Sequence, residues 1–367
     1  MFLVNTRNFP PELGGMQVLM GGLSTALLNY GPVKIFAEKH KNSNTYDKKF
    51  RYDITRVSGI KLFRKFRKAN LVNNYLKENP PIKALITDHW KSLEYLNKEY
   101  LLNKKVLCLI HSKEINHPIN SRLNARMNKC MSKADFIISN SNFTKGLAVN
   151  NGIKENKIKV IHPGISFYEE PSESNIKAAE NVFKDSFPCL ITVARFDKRK
   201  GHDKTIMAIR NLKEKFPKIK YVCLGYGEEE KNLKKLVHEL NLENIVIFMD
   251  NMNSDFKSAL IKKSHLFIMP SIIYKKSVEG FGIAFIEAGQ HGIPSIGGKD
   301  GGASDAIIHN KTGLICNGND LDSIYQSIIN IFEEDRYLNF GKNAKEFSKQ
   351  FEWNKIVKKY IELLNQR

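Results

Sequence analysis

Ser277-Val278-Glu279-Gly280-Phe281-Gly282-Ile283-Ala284-Phe285-Ile286-Glu287-Ala288 sets two carboxylates on either side of a glycine turn that runs into an apolar helical pattern. The apolar run His265-Leu266-Phe267-Ile268-Met269-Pro270 comes shortly before it. Together they read as a buried strand, a turn at its carboxyl end and a covering helix. Open α/β sheets are built from such units and hold ligands at that edge. Backbone N–H groups around Phe281, Gly282 and Ile283 then lie at a helix N-terminus, where they can meet a phosphate or a sugar oxygen. Glu279 stands before the helix and Glu287 about two turns inside it, so the two can take hydroxyls at opposite ends of one ligand. On this stretch alone a plain glycine loop with two ordinary glutamates is the open alternative.

The rest of the 367-residue chain repeats the same alternation. Strand patterns fall at Phe2 to Asn5, Val33 to Ala37, Ile54 to Val57, Ala84 to Thr87, Val106 to Ile110, Phe136 to Ser139 and Lys159 to Ile161, with helical patterns such as Met16 to Asn29 and Asn142 to Asn150 between them. A second series runs from Cys189 to Ala194 through Lys220 to Leu224, Ile245 to Met249 and Leu266 to Met269 to Pro294 to Ile296. Both series predict mainly parallel sheets covered by helices. The expected domains are 1-164, 165-349 and a closing helix within 350-367 that packs back on the first domain. Pro163-Gly164 ends the first, and the polar stretch Tyr168 to Asn175 reads as a linker.

An apolar content of 42% with 10% aromatics is ample for two cores. No run approaches a membrane span, and Met1 to Val4 soon meets Arg7, a first strand rather than a secretory signal. A cytoplasmic protein is expected. Cys108, Cys130, Cys189, Cys223 and Cys316 show no metal or disulfide spacing, so reduced thiols and no bound metal are expected. The net charge of +20 favours polyanionic partners. Its densest cluster, Lys61 to Lys68, has two readings: a helix lying on the anionic inner face of a membrane, or a domain helix whose stripe Leu62, Phe63, Phe66 and Ala69 faces the core while its lysines face water.

Other candidates stand where strands end. Arg195 closes Ile191-Thr192-Val193-Ala194, and Lys200 follows five residues later before Gly201, positions suited to a diphosphate leaving group. Gly14 and Gly15 follow the first strand in Phe9-Pro10-Pro11-Glu12-Leu13-Gly14-Gly15-Met16 and allow close backbone approach to a ligand. His111 follows the run Val106 to Ile110 and opens His111-Ser112-Lys113-Glu114. Asp320-Leu321-Asp322 reads as a helix cap, and Gly297 to Gly302 lacks the Lys-Ser/Thr ending of an ATP-binding loop.

Taken together, Gly14-Gly15, Ser139 to Thr144, Lys159 to Ile165, Arg195 to Gly201, Glu279 to Glu287 and Gly301-Gly302-Ala303-Ser304-Asp305 resemble the retaining glycosyltransferases of family 4 over nearly the whole chain. The resemblance implies an α/β chain with the GT-B fold, two doubly wound Rossmann-like domains facing a central crevice. It implies a nucleotide-sugar donor used as substrate, with no cofactor and no metal, and a glycan or lipid-linked acceptor. By position, it gives Arg195 and Lys200 the donor diphosphate, Glu279 the hydroxyls of the transferred sugar and Glu287 the ribose. Phe281, Gly282 and Ile283 support sugar and phosphates, Gly14 and Gly15 border diphosphate and acceptor, and His111 lies beside the donor sugar on the acceptor side. The loop Asn251-Met252 is similar to one that borders the base. His111 to Ile115 and Gly301 to Asp305 look most like the phosphatidylinositol-mannoside mannosyltransferases, which implies GDP-mannose, although Ser112 and Lys113 depart from that pattern.

Such an enzyme stabilises an oxocarbenium-like state while charge grows on the departing phosphate, a task for Arg195, Lys200 and helix-end amides. The resemblance makes Glu279 a sugar binder rather than a nucleophile, so same-face attack is expected. Glu279→Ala and Lys200→Ala should then nearly abolish transfer without unfolding the protein. A sugar-nucleotide epimerase or phosphorylase on the same architecture is the alternative enzyme. A nucleic-acid-binding protein is suggested only by charge, and no such motif is present, so no nucleic-acid partner is expected.

Overall fold

The computed structural model describes residues 1–12, 14–79, 81–166, 169–250 and 252–366. It divides into two units, Met1–Ser166 with Phe351–Arg367, and Phe167–Gln350. Leu13 of the glycine loop, Tyr168 of the joint and Asn251 of the base-side loop lie outside the described residues.

The first unit is built on β1 (Phe2–Asn5), β2 (Val33–Glu38), β3 (Asp53–Val57), β4 (Ala84–Thr87), β5 (Lys105–Ile110), β6 (Phe136–Ser139) and β7 (Ile158–Val160), paired in parallel in the order β3-β2-β1-β4-β5-β6-β7. Strand residues alternate between the two faces: Phe2 and Val4 join Leu19, Leu23, Ile356 and Tyr360 on one side, while Leu3 joins Val72, Leu76, Trp90 and Cys108 on the other. Both faces are covered, so the strands are apolar almost throughout, as parallel sheets require. The closing helix Trp353–Asn365 packs against helix Gly15–Leu27.

The second unit contains β8 (Cys189–Val193), β9 (Lys220–Leu224), β10 (Val246–Met249), β11 (Leu266–Met269), β12 (Ser295–Gly298) and β13 (Gly313–Cys316), parallel in the order β10-β9-β8-β11-β12-β13. Each unit thus reverses its winding at one place, between β1 and β4 and between β8 and β11. Loops leave the sheet in opposite directions there and open a crevice at the carboxyl ends of the strands.

Three expectations need correction. β13 has no counterpart in the sequence reading: it opens on Gly313 behind the polar run His309 to Thr312, which leaves an apolar stretch of Leu314 to Cys316 alone. The polar stretch read as a linker up to Asn175 already contains the first turn of helix Glu173–Val182, whose polar residues Glu173, Ser174 and Asn175 open the helix. The basic helix, Lys61–Glu78, buries Lys68, Ala69, Val72 and Leu76, so of the stripe that one reading turned to the core only Ala69 is buried. Leu62 and Phe63 are 67% and 56% exposed. Lys68 points inward, and its ammonium donates to Thr6 O at 2.7 Å. Periodicity alone could not choose this face: ahead of Lys68 the helix reaches the sheet through a polar contact, Arg64 on Glu38 of β2, and its buried residues begin at Lys68. Elsewhere the reading holds: Asp320 accepts from Asp322 N as the cap of helix Leu321–Phe332, and all five cysteines are buried free thiols. No helix among the described residues is long and apolar enough to cross a membrane.

Candidate functional site

In the second unit the switch between β8 and β11 brings together the turn after one strand and the loop after the other. Ile272 N donates to Arg199 O at 2.9 Å, fastening the two. Gly201 makes this closeness possible. It adopts φ +75, and a Cβ there would stand 2.6 Å from Pro270 O. Lys200, just before it, is consequently directed into the fold and donates to Glu279 Oε2 at 2.5 Å and to Met269 Sδ at 3.3 Å. Arg199 Nη1 donates to the same Glu279 oxygen at 2.8 Å. The three side chains are only 11 to 14% exposed.

Glu279 is held from behind as well: Gly302 N donates to its carbonyl at 2.9 Å, and Gly301 bridges it in parallel. Burial would push the Glu279 carboxyl up, but Lys200 and Arg199 overcome this and hold it at about 2. Burial pushes the Lys200 ammonium down despite its carboxylate partner. An ionised carboxylate, two cations and a helix end therefore sit in poorly hydrated surroundings, where charge interactions are strong.

Gly282 caps helix Ile283–Gln290 at φ +91; Phe285 N donates back to its carbonyl at 3.0 Å, while the Ile283 and Ala284 amides stand at the helix start, where no carbonyl a turn earlier in the helix can receive them. A Cβ on Gly282 would meet the Phe285 ring at 2.4 Å. Gly282→Ala should cost about 1–3 kcal/mol of stability, read as a lower Tm in thermal unfolding; an unchanged Tm would contradict the strain. Phe281 is buried before this cap. Glu287 lies in the helix's second turn, and the Lys257 ammonium reaches both its oxygens at 3.2 Å. Met252, after β10, is 40% exposed.

Arg195 does not join the Glu279 cluster. Its side chain is 66% exposed and Nη2 meets Asp197 Oδ2 at 3.1 Å. The sequence reading passed over Arg199 and Lys257. Arg199 was visible as one of several cations in a basic turn, but its inward direction depends on the bend at Lys198–Lys200 and the left-handed Gly201. Lys257 sits on helix Ser254–Lys263 among other lysines, and nothing in its spacing singles it out.

In the first unit Gly14 and Gly15 start the helix that follows β1, with Gly14 at φ +156. His111 leaves β5. Its Nε2 lies 3.1 Å from the carbonyl of Asp88, which follows β4, and a carbonyl can only accept. Nε2 is therefore the donor in this hydrogen bond. Glu114 Oε1 takes the His111 backbone N–H at 2.5 Å. Asp88 is fully buried and was missed by the sequence reading, although its place after a strand was a usable signal. It accepts from Arg7 N, Asn8 N, Asn8 Nδ2 and Ser92 Oγ at 2.9 to 3.1 Å. Burial opposes its ionisation, yet Lys68 and these bonds keep its pKa below the usual value. Neighbouring His89 is pushed down by burial to about 3 and stays neutral. The β4, β5 and β1 ends are thus tied into one rigid polar edge.

Two family profiles match the chain: Glycosyltransferase Family 4 over residues 13–167 and Glycosyl transferases group 1 over 173–347. They cover everything but the ends and a short joint. A GDP-mannose-dependent alpha-(1-6)-phosphatidylinositol monomannoside mannosyltransferase of Mycobacterium tuberculosis is 23% identical, over 99% of this chain and 97% of its own. Among solved structures, Anabaena Alr3699/HepE in complex with UDP superposes with a TM-score of 0.82 at 18% identity, covering 99% of both chains. Sucrose-phosphate synthase from Thermosynechococcus elongatus does so at 0.78 and 20%, covering 99% of this chain and 98% of its own. The chain belongs to the group 1 glycosyltransferases, with a family 4 N-terminal region and the GT-B fold.

Proposed function

We propose that this glycosyltransferase moves a hexose, with GDP-mannose the favoured donor, to a glycan or lipid-linked acceptor with retention of configuration. The observation that carries the reading is the Glu279 carboxylate, kept ionised by Lys200 and Arg199 at the opening of a helix. Glu279 takes hydroxyls of the transferred sugar and Glu287 those of the ribose, while Lys200, Arg195 and the amides of Gly282 and Ile283 receive the diphosphate. As the glycosidic bond breaks, negative charge grows where these groups stand. The leaving phosphate then accepts the acceptor's proton, with His111 beside the sugar. These cations fill the charge-stabilising role that a divalent ion would otherwise supply, so activity should persist in EDTA.

Mannose is favoured by the mycobacterial relative's name, whereas the Anabaena structure holds UDP. The deciding experiment is a screen of GDP-mannose against UDP-glucose, UDP-galactose and UDP-N-acetylglucosamine, scored by binding and slow donor hydrolysis. GDP-mannose should give the strongest response; preference for a UDP-sugar would overturn the donor assignment.

The acceptor side has a charge signature. Met1–Ser166 with Phe351–Arg367 holds 32 Lys and Arg against 13 Asp and Glu, leaving 26 against 25 to the other unit. Nearly all the net charge therefore belongs to the first unit, which also exposes Ile60 just before its basic helix and Leu62, Phe63 and Phe66 on it. Apolar side chains flanked by cations match an anionic bilayer surface, which would bring the enzyme to a lipid-linked acceptor on the inner face of the membrane. Leu62→Ser with Phe63→Ser and Lys65→Ser should weaken binding to phosphatidylglycerol vesicles at least ~10-fold, measured by co-sedimentation. Unchanged binding would remove the membrane from the proposal. Lys68 is left intact because its ammonium is part of the fold.

A further inference from the structure

Glu279 Oε2 is claimed by two cations while Oε1 has no bond from any described residue. One cation would have been enough to neutralise the carboxylate. The second, Arg199, has its Nε buried without a hydrogen-bond partner and in a long ion pair, 4.0 Å from Asp197 Oδ2, so among the described residues its side chain hydrogen-bonds through Nη1 alone. A buried charged donor left unsatisfied is costly. Anchoring Nη1 on Glu279 leaves Arg199 in that position.

We infer that Arg199 is the positioning residue for Glu279: it locks Oε2, turns Oε1 towards the ligand, and releases the remaining N–H groups of Lys200 for the donor phosphate. The inference rests on the sugar-binding role proposed for Glu279. With Lys200 alone, the ion pair would be one to one and neutral; with Arg199, the trio keeps one positive charge to offer a diphosphate. Rigid geometry follows as well. Two donors converge on one oxygen from a turn that Ile272 N fastens to the loop carrying Glu279, so the carboxylate cannot rotate without breaking both bonds.

The charged groups facing Glu279 are Lys200 and Arg199, both from the turn after β8, with Asp197 behind Arg199. β11 contributes the Met269 sulfur to Lys200, and the Gly301-Gly302 segment contributes backbone only. Removing Arg199 therefore leaves one cation to oppose the effect of burial on the carboxyl, which then takes up a proton at higher pH.

The test compares Arg199→Met, Arg199→Lys and Lys200→Met in the full chain, with folding verified by circular dichroism. Titration calorimetry measures binding of GDP and UDP, and donor hydrolysis gives kcat between pH 7 and 4.5. Arg199→Met should bind the preferred nucleotide about tenfold more weakly. Its kcat relative to wild type should fall further as the pH drops, and Arg199→Lys should recover most of both. A pH-independent kcat ratio, with the lysine variant no better than the methionine one, would overturn the role of Arg199. Lys200→Met separates the two levels: if it binds nucleotide as wild type does, the site assignment itself fails, whereas loss in Lys200→Met without loss in Arg199→Met rejects Arg199 alone.

Discussion

Lys200→Met is expected to lower transfer by about 10²–10³-fold, the effect of removing one preorganised group that stabilises developing charge. The Lys200 ammonium has one strong partner, Glu279, and one weak one, the Met269 sulfur, so donor capacity remains for a phosphate. It stands in surroundings dry enough for burial to lower its own pKa, where an interaction with a leaving diphosphate is worth far more than at the surface. Methionine keeps the unbranched bulk beside Met269, and Arg199 still pairs with Glu279, so the fold should survive. Steady-state assays with the donor identified by the screen provide the measurement, and activity within tenfold of wild type would sink the assignment. Arg195→Met makes the useful contrast. That side chain is two-thirds exposed and bound to Asp197, so a ligand must draw it away, and its loss should cost less.

The architecture was legible because parallel strands buried on both faces are written as short apolar runs. The residues that end those runs, His111, Arg195, Pro270 and the glycine turn after it, are also those at the sheet edges. Asn142–Asn150 could be bounded to the residue, since Ser141 caps it, and the closing helix expected within 350-367 is Trp353–Asn365. Less legible was which way a cation points. Arg195, Arg199 and Lys200 are neighbours of one charge type, yet one is in water and two are buried on the same carboxylate oxygen. The difference comes from a left-handed glycine and a backbone hydrogen bond to a loop 73 residues away, Arg199 to Ile272. The same limit misplaced the buried face of helix Lys61–Glu78, where a lysine packs inward and two aromatic rings face out. A pattern of polarity describes average faces, and a site is made of exceptions to it.

Glu279→Gln should reduce transfer at least ~100-fold and should also destabilise the protein, which changes how the carboxylate has to be tested. Truncation to alanine would leave Lys200 and Arg199 nearly buried with nothing between them, a change that costs about 3–5 kcal/mol when one partner of a buried ion pair is removed. Alanine would therefore mix unfolding with lost chemistry, contrary to what the sequence alone implies. Glutamine keeps the shape and one oxygen acceptor, so its cost should lie near the lower end, about 3 kcal/mol at neutral pH. Acid titration then reports the charge directly. Although burial raises it, the Glu279 carboxyl is brought by Lys200 and Arg199 to about 2, below the ordinary value near ~4.3. A depressed carboxyl stabilises the fold fully above its unfolded pKa and loses that contribution as the pH falls towards its folded one. Wild-type stability should accordingly decline between about pH 4.3 and 2 more steeply than that of Glu279→Gln, and urea unfolding at successive pH values should show the two curves converging on acidification. Parallel curves would mean that Glu279 is not held ionised by its two cations, and the reading of this carboxylate as a charged sugar clamp would have to be abandoned.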